Sequence, residues 1–275
     1  MTASPALTLN LPLAWMLWAA AAPGQALAQS AALPAASIAV PAGTASDTPA
    51  LARKPLLAPF SAATTSTPPP PWRVVGLPRS KTRLTQFDLV SLDDARVLRL
   101  QTDRSYGTLV HELPPTVPGA EAKLQWRWRL EQAVAGADLR RKEGDDAALK
   151  VCVMFDMPLA NVPFIERSVL RLARSASSEL LPAATVCYVW DPSLARGTTL
   201  PNAYTRRLRY LVVDGAQAPM GQWRSHERRI GADFLQLFGD ETSTVPPVVA
   251  IVVGADADNT AGTSLGYIGD LTLTP

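Results

Sequence analysis

Apolar and polar residues alternate without a break through Lys123-Leu124-Gln125-Trp126-Arg127-Trp128-Arg129-Leu130. Leu124, Trp126, Trp128 and Leu130 therefore share one face of a strand, with Gln125, Arg127 and Arg129 on the other. Patterning predicts further strands at Leu84–Val90, Arg96–Thr102, Thr108–Leu113, Ala148–Phe155, Thr185–Trp190, Arg206–Val213, Gln222–Arg229, Val248–Gly254 and Gly266–Leu273. Asp93-Asp94 between two of them reads as a hairpin turn, and Asp214-Gly215 closes another. Val248–Val253 is apolar on both faces, as suits a strand at the centre of a sandwich. Many antiparallel strands with little helix predict an all-β fold, a β-sandwich of jelly-roll type.

Helical spacing interrupts this pattern at two places. Over 164–180, Phe164, Ile165, Val169, Leu170, Leu172 and Ala173 recur near helical period, with Arg167, Arg171 and Arg174 on the remaining surface. The expectation is a helix packed apolar side inward on the sandwich rim; a basic amphipathic helix resting on a membrane is the alternative. Ala232–Phe238 is a short helical turn stopped by Gly239.

The N-terminal stretch carries neither strand nor persistent helical pattern. Leu11–Ala22 is an apolar run, and Ala26-Leu27-Ala28 sets small residues where a signal peptidase reads, which predicts a signal peptide over 1–28. Residues 1–10 lack the usual positive charge, yet the run is short of the ~20 residues a membrane span needs, so no stable membrane insertion is expected after cleavage. No Cys follows the cleavage site to carry a lipid anchor. Residues 29–71 are Ala/Pro/Ser/Thr-rich, with charge only at Asp47, Arg53 and Lys54. This composition predicts a disordered linker, with Leu56, Leu57 and Phe60 as a small apolar exception that can dock on the domain edge. One β domain over 72–275 is left, in a protein expected in the periplasm or secreted.

Charge and cysteine content remove several functions. Lys and Arg number 26 against 24 Asp and Glu, which gives no concentrated basic field for nucleic acid. Two Cys and two His do not build a structural zinc site or an iron–sulfur cluster. Cys152 and Cys187 both lie in apparent strands, and an oxidising compartment would let them form a disulfide; two separate buried thiols are the alternative.

A succession of motifs then resembles one family: LQWRWR at 124–129, KEGDD at 142–146, KVCVMF at 150–155, YVW at 188–190, PNAYT at 201–205, WRSHERR at 223–229, Asp233 to Phe238-Gly239, DADNT at 256–260 and YIGD at 267–270. Together they resemble the bacterial exported proteins grouped as "domain of unknown function 3047". The resemblance implies a single-domain β-sandwich related in shape to carbohydrate-binding modules and galactose-binding-like domains, and implies no reaction. Cys152, Cys187 and the longer helical stretch 157–182 depart from the family pattern.

Candidate chemistry concentrates in two acidic loops. Asp256-Ala257-Asp258-Asn259-Thr260 begins like a calcium loop, but Ala261 stands at the glycine position and Tyr267 replaces the closing glutamate, so it is no EF-hand. Clustered oxygen ligands still suit a hard cation, which makes Asp256, Asp258 and Asp270 a candidate calcium set; an Asx-turn is the plain structural alternative. Glu143-Gly144-Asp145-Asp146 offers adjacent carboxylates for a cation or sugar hydroxyl, or one half of a glycosidase pair. Trp190, at a strand end before Asp191-Pro192, is the aromatic expected near a pocket. The ligand-binding set is therefore Asp145, Asp146, Trp190, Asp258 and Asn259. Gly262-Thr263-Ser264-Leu265-Gly266 matches a nucleophile elbow in spelling only, because strand pattern and not helix follows it. Arg224, Arg228 and Arg229 beside His226 read as a charged outer face. No strong catalytic motif is present, so a non-catalytic binding domain for a glycan or other polyhydroxyl ligand ranks ahead of an envelope glycoside hydrolase and of a structural or interaction subunit.

Overall fold

The computed structural model describes residues 55–77, 81–177 and 179–275, so the signal-peptide expectation and the first part of the linker lie outside the described residues. Strands in chain order are β1 (Arg73–Val75), β2 (Arg83–Leu84), β3 (Gln86–Leu92), β4 (Ala95–Asp103), β5 (Ser105–Val117), β6 (Lys123–Gln132) and β7 (Lys150–Phe155). Helix α1 (Phe164–Ala176) precedes β8 (Ala184–Trp190), β9 (Thr199–Pro201), β10 (Leu208–Asp214) and β11 (Arg224–Arg229). Helix α2 (Ile230–Phe238) is followed by β12 (Val248–Asp256), β13 (Thr263–Ile268) and β14 (Thr272–Thr274).

These strands form a β-sandwich of jelly-roll type. The larger sheet has eight strands in the order β1-β5-β12-β7-β8-β10-β9, with β2 beside β5; the smaller has six, β11-β6-β13-β4-β3, with β14 beside β6. Pairing is antiparallel except β8 with β10 and β2 with β5. The β8–β10 pair runs parallel because the intervening chain swings out to make β9 on the far side of β10. Asp93 and Asp94 form the β3–β4 turn with φ of 50° and 59°, the left-handed pair that a two-residue hairpin demands.

The alternation in β6 is realised in full: Leu124, Trp126, Trp128 and Leu130 are at most 3% exposed. They meet Val151, Val153, Phe155, Val186, Tyr188, Ile251 and Val253 from the larger sheet. The larger sheet is apolar on its outer face too, where Val110, Cys152, Cys187, Val189, Tyr210, Val212, Ala250 and Val252 are covered by Leu139 and Ala147 from the β6–β7 connection. That cover fixes the loop carrying Asp145 and Asp146 over the sheet. Cys152 and Cys187 face each other across β7 and β8 and are joined by a disulfide.

Two expectations need correction. Residues 55–71 do not behave as a disordered linker: Leu57 and Phe60 are 1% and 0% exposed within the core, and Trp72 Nε1 donates to the Ala58 carbonyl at 2.8 Å. Burying a Leu and a Phe contributes roughly 1.5–3 kcal/mol each toward ordering this segment, and hydrogen bonds from Ser61 to Asp270 and from Trp72 to Ala58 add to it. Helix α1 forms where the spacing places it but is turned the other way. Only Leu170 among its large apolar residues is buried, while Phe164, Ile165, Val169 and Leu172 are 76%, 73%, 52% and 72% exposed. The inward side carries Leu170 and Glu166, whose carboxylate pairs with buried Arg207 at 2.6 Å.

Candidate functional site

The two acidic loops converge at one end of the larger sheet, on its outer face. Register places Gly254 between Lys150 of β7 and Thr108 of β5, with Asp256 opposite Tyr106. A side chain at Gly254 would meet the Lys150 stem at 2.7 Å, so the glycine leaves the lysine free to cross β12. Lys150 Nζ reaches Asp256 Oδ2 at 2.6 Å and stands 5.2 Å from the centre of the Tyr106 ring. The Ala147 N–H donates to the other Asp256 oxygen at 2.8 Å. Burial opposes the Lys150 charge, but the neighbouring Asp256 carboxylate overrides it and holds the ammonium above its ordinary range. Burial raises Asp256, against the pull of Lys150.

Asp146 fastens the second loop. Its Oδ1 accepts from the Asn259 backbone and side-chain amides, both at 3.2 Å, and its Oδ2 accepts from the Thr260 N–H at 2.7 Å. Asp145 accepts from the Tyr210 hydroxyl at 3.0 Å and from the Asn202 amide. Burial pushes the Asp145 carboxyl up to about 6, with Lys150 pulling it down and Asp256 pushing it further up. The Asn259 Oδ1 accepts from the hydroxyl of exposed Tyr204 at 2.7 Å. Asp258 is half-buried, and its Oδ1 is enclosed with no hydrogen-bond partner. Burial raises its carboxyl, helped by Asp256 and Asp146. One oxygen each from Asp146, Asp256 and Asp258 lies within 4.8 Å of the others, a donor set that fits a hard cation.

Asp145, Asp146, Asp256, Asp258 and Asn259 are thus brought together, and the structure adds Lys150, Asn202, Tyr204 and Tyr210 to them. Trp190 is not with them: Cys187 and Val189 face outward on β8, so Tyr188 and Trp190 point into the core, where Trp190 is 6% exposed. Asp270 is also elsewhere. It follows β13, and six strand residues at about 3.3 Å each set it roughly 20 Å from the 256–260 loop. There it accepts from the Ser61 N–H at 2.9 Å and from the Ser61 hydroxyl. Ser264 of the elbow-like sequence is a buried strand residue whose hydroxyl bonds Thr102 at 2.7 Å.

Asp270 belongs to a different constellation, which the patterning did not single out as a site. A groove of about 530 Å³ lies over the smaller sheet, lined among others by Arg96, Gln125, Arg127, Ser225, Glu227 and Asp270. Its polar wall is drawn from β4, β6, β11, the chain after β13 and the segment before β1 that carries Ser61. Gly269 lies beneath Arg127, whose Cγ and Nε come within 2.9 Å of where a side chain there would begin. The Arg127 guanidinium stacks over the Trp223 ring at 4.6 Å and, among the described residues, donates to no acceptor. Gln125 and Glu227 are bonded across β6 and β11 at 2.6 Å.

The two sheets make a β-sandwich scaffold with an open polar groove on one face and an acidic cluster on the other. The chain belongs to the family described as Protein of unknown function (DUF3047), matched over residues 70–272. Among curated proteins, none matches. Similar solved structures include the family 11 carbohydrate-binding module from Clostridium thermocellum in complex with a beta-1,3-1,4-mixed-linked tetrasaccharide, at 8% identity and TM-score 0.40 over 80% of this chain and 94% of that one. Cellulose induced protein, Cip1, is similar at 12% identity and TM-score 0.37, covering 74% of this chain and 90% of that one. TmCBM61 in complex with beta-1,4-galactotriose is similar at 12% identity and TM-score 0.29, covering 74% and 88%.

Proposed function

We propose that this is an exported, non-catalytic binding domain for a glycan or other polyhydroxyl ligand, and that the ligand sits in the groove beside Arg127. The observation that carries this reading is the Arg127 guanidinium: over the Trp223 ring at 4.6 Å, held in place across Gly269, and with its N–H donors unspent. A planar fork of unspent donors in an open polar groove is the kind of group that orients a hydroxyl-rich ligand. Calorimetric titration with a glycan panel tests it. Arg127→Ala is expected to weaken binding at least tenfold while the melting temperature stays put. If no glycan binds, or Asp258→Ala abolishes binding and Arg127→Ala does not, the groove is not the site.

A second reading has its own observation. The enclosed, unpartnered Asp258 Oδ1 beside Asp146 and Asp256 favours a calcium ion at the acidic cluster. Calcium that binds the folded state alone would raise the melting temperature in step with its concentration, and an unchanged melting curve at millimolar calcium would remove it. Of the carboxylate pairings a hydrolase could draw on here, Asp146 with Asp256 has the least support: they are 1% and 5% exposed, and every oxygen of both already accepts a hydrogen bond.

A further inference from the structure

Helix α1 exposes Ile165, Val169 and Leu172 in one line, four and then three residues apart, with Phe164 at its N-terminal end. Contiguous apolar surface of this kind on a soluble domain marks a place where something binds. The charges around it say what. Glu166 is the helix's one acid, and it is spent inward on Arg206 and Arg207. The three arginines of the helix have no carboxylate partner among the described residues. Arg167 donates to the carbonyls of Ala160 and Val162, Arg174 donates to that of Leu181, and exposed Arg171 makes no ion pair. Their positive charge is therefore uncompensated beside an apolar stripe.

We infer that α1 is a membrane-surface helix, which lays Phe164, Ile165, Val169 and Leu172 into the interface of a bilayer rich in anionic lipid. An amphipathic helix lying in the plane of the leaflet presents this combination, with apolar side chains below and guanidinium groups reaching lipid phosphates from its flanks. A second copy of the chain fits less well, since a self-complementary interface would bring two unneutralised sets of arginines together. Leu170 and the Glu166 pairs fasten the helix to the domain, so docking needs no unfolding. The contact is peripheral, in keeping with the absence, among the described residues, of any helix long and apolar enough to cross a membrane.

Co-sedimentation with vesicles of phosphatidylcholine alone and of phosphatidylcholine with 30% phosphatidylglycerol tests this, using the whole chain. The mixed vesicles should carry down the wild type, pure phosphatidylcholine should carry down far less, and salt should release it. Ile165→Asp combined with Leu172→Asp should lower binding to the mixed vesicles at least tenfold, and Arg171→Glu several-fold. All these positions are exposed, so melting temperatures should match wild type. The N-terminal apolar run is common to every variant, so its contribution cancels. Equal sedimentation of wild type and the double Asp variant overturns the inference. So does a concentration-dependent dimer that the double Asp variant abolishes, because the face would then belong to a second copy.

Discussion

The acidic cluster and the groove each set a cationic side chain across a glycine, and there the likeness ends. Lys150 crosses Gly254 into a buried pocket and is consumed by Asp256. Arg127 crosses Gly269 on an open face and keeps its donors. The first cation is taken up by the fold and the second is presented by it. Charge density alone is therefore a poor guide to a binding face: the cluster with more carboxylates is the one whose groups are mostly engaged with one another. What distinguishes the groove is unspent hydrogen-bonding capacity held in a fixed orientation.

Removing the cation should therefore have opposite consequences in the two places. Lys150→Met leaves Asp256 buried without its partner, and the expected loss is about 3–5 kcal/mol at pH 7 in chemical denaturation. Part of this should return on acidification, as the orphaned carboxyl takes up a proton, and part with Asp256→Asn in the same chain. A loss under about 1 kcal/mol would mean that water or a cation reaches Asp256, and the cluster would then be open like the groove.

Asp145 sharpens the comparison through pH. Its folded-state carboxyl titrates near 6, above the ordinary value of 3.8, so the folded chain binds an extra proton between the two. The resulting stability is fully present below 3.8 and is lost as pH rises through about 6. Relative to Asp145→Asn, the wild type should lose about 1–3 kcal/mol between pH 4 and 7, read from denaturant midpoints across that range. A flat difference would place the carboxyl in contact with solvent.

The smallest expected effect is on the other face. Arg127→Ala removes a side chain that donates no hydrogen bond within the fold and gives up only its contact with the Trp223 ring, so stability should change by no more than about 1 kcal/mol. A drop of 2 kcal/mol or more would show that the guanidinium serves the fold after all, and the contrast with Lys150 would collapse.

How much of this could be read from the chain varied by element. The strand β6 was legible because period-2 alternation names both its faces. Strand β8 was found as a strand but its two faces were not legible: Ala184 through Trp190 is buried at every position, so nothing in the pattern says that Trp190 points inward. The acidic loops were found because their residues are adjacent in sequence at the ends of apolar strands. The groove was missed because its parts come from residues 125–127, 225–227 and 269–270, which only the sheet order brings together. For α1, periodicity told which residues share a face and left open which way that face turns, because the partners on the inward side, Arg206 and Arg207 against Glu166, lie about forty residues further along the chain. Leu57 and Phe60 stood out from their Pro- and Ala-rich surroundings as residues that can dock on the domain edge, but the composition around them hid that they go into the core and order residues 55–71 with them.

Ser61 and Asp270 are 209 residues apart and clasped by two hydrogen bonds, one of them from the Ser61 backbone N–H at 2.9 Å. The β domain therefore closes on itself near its own beginning and end. Such an arrangement tolerates rewiring, because the order of strands along the chain matters less than their order in the sheets. Joining the two ends with a short Gly/Ser bridge and opening the chain at exposed Gly136, where a side chain would meet nothing within 4 Å, should yield a permuted protein with the same two sheets. The same geometry makes the domain one that can be set into a loop of another protein without prising that loop apart.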